Sequence, residues 1–168
     1  MIFGLLVGAT LLFRLRFPSW RVAAAHGLAV MLVVTASAHF APDGLGFMPG
    51  HGTLTAMVPP FVPFPSPVVY GTGVLELLGA LGLVLPRTRR AAGWCLVVLF
   101  ACLLPANVHA ALTHVPGAGD PLWIRIPEQL AYLAAALAAT AGDAAPPTSR
   151  RGEPEPSAGT AQTASSSP

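Results

Sequence analysis

The chain has 168 residues, of which 54% are hydrophobic and only 10% charged. Soluble domains carry roughly a quarter of their residues as charge, so this composition excludes a water-soluble globule: too few polar side chains exist to cover one. A net charge of +2, with the arginines dispersed along the chain, also excludes nucleic-acid binding through a basic patch. What remains is an integral membrane protein.

Five apolar segments are predicted as helices, at residues 2–13, 22–40, 68–85, 91–112 and 122–141. A crossing needs roughly 17–25 residues, and the last four meet that length. The first does so only by extending toward Phe17, with Arg14 and Arg16 reaching back to the interface. No basic residue precedes it and no small-x-small site follows, so it reads as a membrane helix and not a cleavable leader. No segment alternates apolar and polar residues, which argues against a β-barrel. The predicted fold is all-α: a polytopic helical bundle, with a four-helix core over residues 22–141 and an extra N-terminal span with its turn over residues 1–21.

Arginines orient the chain. Arg14, Arg16 and Arg21 follow the first segment, Arg87, Arg89 and Arg90 the third, and Arg150 and Arg151 the fifth. Five crossings put all three groups on one side, which the positive-inside rule makes cytoplasmic. The N-terminus is then outside and the C-terminus inside. The connection at 86–90 is a tight turn, making an antiparallel hairpin of its flanking helices. The outer loop at 41–67 ends in a Pro-rich stretch, 57–67, predicted to form no regular helix because each Pro removes a donor. It is too apolar for a solvated loop and reads as a lid, with Phe61, Phe64 and Tyr70 at headgroup depth. Residues 142–168 are rich in Ala, Pro, Ser, Thr and Gly and read as a disordered cytoplasmic tail.

An ionisable residue inside a membrane costs several kcal/mol unless it is paired or faces a cavity. Glu76 is the only charge of the third segment, about 12 Å below its outer end. Asn107 and His109 lie near the outer end of the fourth segment. Arg125, Glu128 and Gln129 open the fifth, and His39 ends the second. With the orientation above, all of them fall in the outer half of the bilayer and suggest one shared polar site. Gly73, Gly79 and Ala80 beside Glu76 would admit a neighbouring helix closely. Two readings stand side by side: a structural Glu76–Arg125 pair, or a ligand or proton site. Asn107 alone is ordinary interhelical hydrogen bonding, and His26 is a packing residue. The spacing of His39, His51, His109 and His114 matches no metal-ligand motif. Cys95 and Cys102 are about 10 Å apart along a helix, too far for a disulfide.

Six ordered pieces resemble the DoxX family of small bacterial membrane proteins. They are His39-Phe40, Met57-Val-Pro-Pro60, Gly73-Val-Leu-Glu-Leu-Leu-Gly79, Leu85-Pro-Arg-Thr-Arg-Arg90, Pro105-Ala-Asn-Val-His109, and Trp123-Ile-Arg125 with Gln129. The resemblance covers residues 22–141. It implies a four-helix bundle and an accessory subunit of a membrane oxidoreductase that works with quinone or with redox partner subunits. Position by position it marks His39, Glu76, Asn107, His109, Arg125 and Gln129; Glu128 lies outside its pattern. The chain shows no redox cofactor motif of its own, so redox chemistry would need a quinone or a partner subunit. The alternatives are a non-enzymatic scaffold or assembly factor locked by a Glu–Arg pair and, third, a small-solute or proton transporter, for which no broken span or inverted repeat is visible.

Overall fold

The structure, a computed structural model, describes residues 2–44, 48–118 and 121–141. The tail expected over residues 142–168 lies outside the described residues, as does Asp120. Among the described residues there are six helices and no strand: α1 (Ile2–Arg16), α2 (Trp20–Ala38), α3 (His51–Met57), α4 (Pro65–Val84), α5 (Arg89–Leu112) and α6 (Leu122–Thr140). Of these, α2, α4 and α5 are long and apolar enough to cross a membrane. α1 has 15 residues, and α6 has 19 but carries Arg125, Glu128 and Gln129 in its first turns.

The Pro-rich stretch departs from expectation at both ends. Met57 closes α3, and Pro65 and Pro67 lie in the first turn of α4. The first four N–H groups of a helix have no intrahelical acceptor, so proline removes nothing needed there. Only residues 58–64 stay irregular. The segment ends at Phe64 in the left-handed region (φ 56°), whose carbonyl then accepts from the Val68 N–H.

α2 packs against α1, α4 and α6, α5 packs against α4 and α6, and α3 bridges α4 and α5. Leu28, Met31, Leu32, Leu83 and Leu96 are fully buried between them. The outward faces are apolar too, with Leu75, Leu78, Leu81 and Val98 all exposed. Helices apolar on every side associate through close packing of small residues, and glycines mark the crossings. A Cβ on Gly27 would lie 2.8 Å from the Thr10 backbone nitrogen, where α1 crosses α2. One on Gly93 would lie 2.9 Å from the Ala136 carbonyl oxygen, where α5 crosses α6.

The α4–α5 turn is stitched by its own side chains. Thr88 Oγ1 donates to the Gly82 carbonyl at 3.0 Å, and Arg89 Nε donates to the Leu83 carbonyl at 2.8 Å. These are C-terminal carbonyls of α4 that lack an intrahelical partner, and a cation suits the negative end of the helix dipole.

Because the Gly93 crossing is backbone on backbone, Gly93→Val should destabilise the protein by about 1–3 kcal/mol. Thermal unfolding in detergent, followed by circular dichroism, measures this. Gly8→Ala is the control, since its added methyl meets nothing within 4 Å.

Candidate functional site

α2 and α5 end where α4 and α6 begin, at the end of the bundle opposite the arginine-bearing turn. A cavity of about 420 Å³ opens there, walled largely by apolar side chains. Into it face Thr35 and His39 from α2, Thr72 and Glu76 from α4, Asn107 from α5, and Arg125, Glu128, Gln129 and Tyr132 from α6. Among the described residues, His39, Glu76 and Gln129 are the buried polar ones, and Glu76 is only 5% exposed.

These polar groups form two sets. In the first, Thr35 Oγ1 donates to Glu76 Oε2 at 2.8 Å, and His39 Nε2 lies 4.0 Å from Glu76 Oε1. Gly73 makes room for His39: a Cβ there would lie 2.6 Å from the His39 Cβ. In the second set, Arg125 donates to Asn107 Oδ1 at 2.9 Å. Asn107 Nδ2 is 3.5 Å from Gln129 Oε1, and Gln129 Nε2 donates to the Phe100 carbonyl at 2.8 Å. Phe100 lies one residue before Ala101, whose carbonyl Pro105 leaves without its helical N–H donor. Gln129 thus ties α6 to the α5 backbone while its other end holds Asn107, and Asn107 in turn aims the Arg125 guanidinium.

Five of the six marked residues therefore line one cavity, and His109 does not. It follows Asn107 by two positions, about 200° around the helix, so equal depth does not mean a shared face. Nor do Glu76 and Arg125 take each other as partners. The carboxylate goes to Thr35 and His39, and the guanidinium to Asn107. Thr35 escaped the sequence reading because a hydroxyl does not stand out in an apolar helix. Its place four residues before His39, on the same helix face, is the signal that could have found it.

The cavity is covered by α3 and residues 58–62. His51 Nδ1 donates to the His39 carbonyl at 2.8 Å, which leaves Nε2 to accept from Ser66 Oγ at 2.9 Å. Its ring stacks on Tyr70 with centroids 4.0 Å apart. Gly50, the N-cap of α3, has no side chain to offer. Asp43 supplies the cap from a distance, accepting from the Thr53 N–H at 2.9 Å and the Thr53 hydroxyl at 2.8 Å. On the far side Met57 packs with Ala110 and Ala118. Among the described residues no three His, Cys, Asp or Glu side chains gather as metal ligands.

Residues 28–140 match the family described as "Domain of unknown function (DUF8561)". The chain belongs to this family. The matched stretch runs from the second half of α2 to the last turn of α6, and the marked residues all lie within it. No curated protein and no solved structure matches the chain.

The bonds from Thr53, the backbone one first, hold the Asp43 carboxyl below its ordinary value of 3.8. A carboxyl lowered by folding stabilises above its unfolded pKa and loses that contribution as pH falls through the folded one. Hydrogen-exchange protection of the Thr53 amide should therefore hold from neutral pH down to about 4 and decline below it. Asp43→Ala should lack that protection at every pH.

Proposed function

We propose that this DUF8561 protein is a DoxX-like, quinone-contacting accessory subunit of a bacterial membrane redox complex. The chain crosses the plasma membrane five times, with α2, α4, α5 and α6 as a four-helix core and α1 appended outside it. Two observations support that architecture. α2, α4, α5 and α6 pack in a closed ring, while the main packing of α1 is against α2. Arg14, Arg16 and Arg21 also fall at the same end of the bundle as Arg87, Arg89 and Arg90. The positive-inside rule makes that end cytoplasmic, so the cavity lies in the outer half with the N-terminus outside.

The observation that carries the functional reading is the cavity itself. It holds a guanidinium, an imidazole and two carboxyls behind apolar walls, and about 420 Å³ suits a small ring compound. Arg125 and His39 would donate to carbonyl oxygens of the head group. Glu76, fixed by Thr35, would hold or release a proton at its Oε1 oxygen. A bound quinone supplies reversible two-electron chemistry, which the chain's own side chains lack. The apolar cover excludes water, so that each hydrogen bond inside is stronger than in solvent.

A second reading, the scaffold or assembly factor, draws on the hydrogen-bond chain from Arg125 through Asn107 and Gln129 to Phe100. That chain joins α5 to α6 whether or not a ligand is present.

Purification in mild detergent, followed by solvent extraction, should recover quinone together with a redox partner subunit. Arg125→Ala should lower quinone retention about tenfold, since a hydrogen bond to a charged group is lost. Neither quinone nor partner in the wild-type preparation would sink the redox reading. If Glu76→Gln instead lowers only the yield of folded protein, the scaffold reading stands. Orientation has its own check: reporter fusions near residue 50 should report outside and those near residue 88 inside.

A further inference from the structure

We infer that the cavity takes a membrane-dissolved amphipath, a small polar head on a long hydrocarbon tail, which enters sideways between α4 and α5. This rests on the reading of the cavity as a ligand site, and it adds the route and the tail.

Near the hairpin α4 and α5 are in contact. A Cβ on Gly79 would lie 2.9 Å from Leu96 Cγ, and one on Gly82 would lie 2.6 Å from the Ala92 Cβ. Thr72 is two turns before Gly79 on the same face of α4, and Leu103 is two turns after Leu96 on the same face of α5. Thr72 and Leu103 both border the cavity. The two faces that meet at the hairpin therefore part further along, and the space between them belongs to the cavity.

That space reaches the outside of the bundle. Val68 of α4 and Cys102 of α5 each line the cavity and are also exposed. Thirteen residues separate Arg89 from Cys102, about 20 Å of helix. The mouth therefore lies within the roughly 30 Å hydrocarbon layer and not at its surface. Water has no access there, whereas a molecule dissolved in the bilayer does.

The chemistry changes from mouth to interior. Val68, Cys102, Leu103 and Ala106 offer a tail nothing but apolar surface. Glu76 and Arg125 lie further in, where a polar head finds a donor and an acid. The route through the end of the bundle is covered: α3 is tied to α2 and α4 by His51 and to α5 through Met57.

The test uses the full chain in proteoliposomes, with Cys95→Ser and Cys102→Ser removing the native thiols. Met31, 1% exposed and lining the cavity, is replaced as Met31→Cys. Decyl methanethiosulfonate and its charged sulfonatoethyl analogue are each timed, relative to their rates with a free thiol in water. The decyl reagent should win by at least about tenfold, because a charge in hydrocarbon costs several kcal/mol. Ala106→Trp, which fills the mouth, should slow the decyl reagent about tenfold and leave gel filtration unchanged. Equal rates for the two reagents, or a decyl rate indifferent to Ala106→Trp, would overturn the lateral route. Should Met31→Cys not fold, Ala38→Cys, also on the cavity wall, replaces it. Protection by decylubiquinone tests the quinone reading separately: access without protection removes the quinone and keeps the route.

Discussion

A carboxyl buried in an apolar bundle is the constraint around which this structure is arranged. Glu76 is 5% exposed, and an uncompensated charge or unsatisfied acid there would cost several kcal/mol. Its surroundings answer that cost. Thr35 donates to it, His39 approaches it, and Gly73 gives up a side chain so that α2 can bring both residues close. The cavity is the space left in front of this arrangement. α3 is held over it partly through the His39 carbonyl.

The second polar set follows from a different constraint. Pro105 interrupts the ladder of α5 at the level of the cavity. Gln129 reaches across from α6 to the backbone of the turn below. The same side chain, through Asn107, orients a guanidinium. The atoms that join α5 to α6 here are the same ones that the proposed ligand reading would use.

The helices were legible wherever apolar runs were long: α2, α4 and α5 begin within three residues of their expected starts. α3 was not, because His51-Gly-Thr-Leu-Thr-Ala-Met57 has no apolar period and is held by Asp43, His51 and Met57 and not by its own propensity. Reading depth along each segment grouped His39, Glu76, Asn107, Arg125 and Gln129, which line one cavity. Depth is one coordinate of a helix and azimuth is the other. His109 was included because only depth was used, and a Glu76–Arg125 pair stood as one of two readings for the same reason. Proline was read as a breaker throughout 57–67, although its first-turn role in α4 depends on where the helix starts.

The placing of the Glu76 partners also bears on how the chain is made. Thr35 and His39 are synthesised before Glu76, whereas Asn107, Arg125 and Gln129 come after it. When α4 leaves the ribosome with its acid, α2 is already available to receive that side chain. α4 and α5 can then enter as a hairpin whose turn carries its own capping side chains. The Gln129 bond to α5, by contrast, waits for α6, which follows α5 in the chain. The acid is sheltered early in biogenesis, and the guanidinium side of the cavity is assembled last.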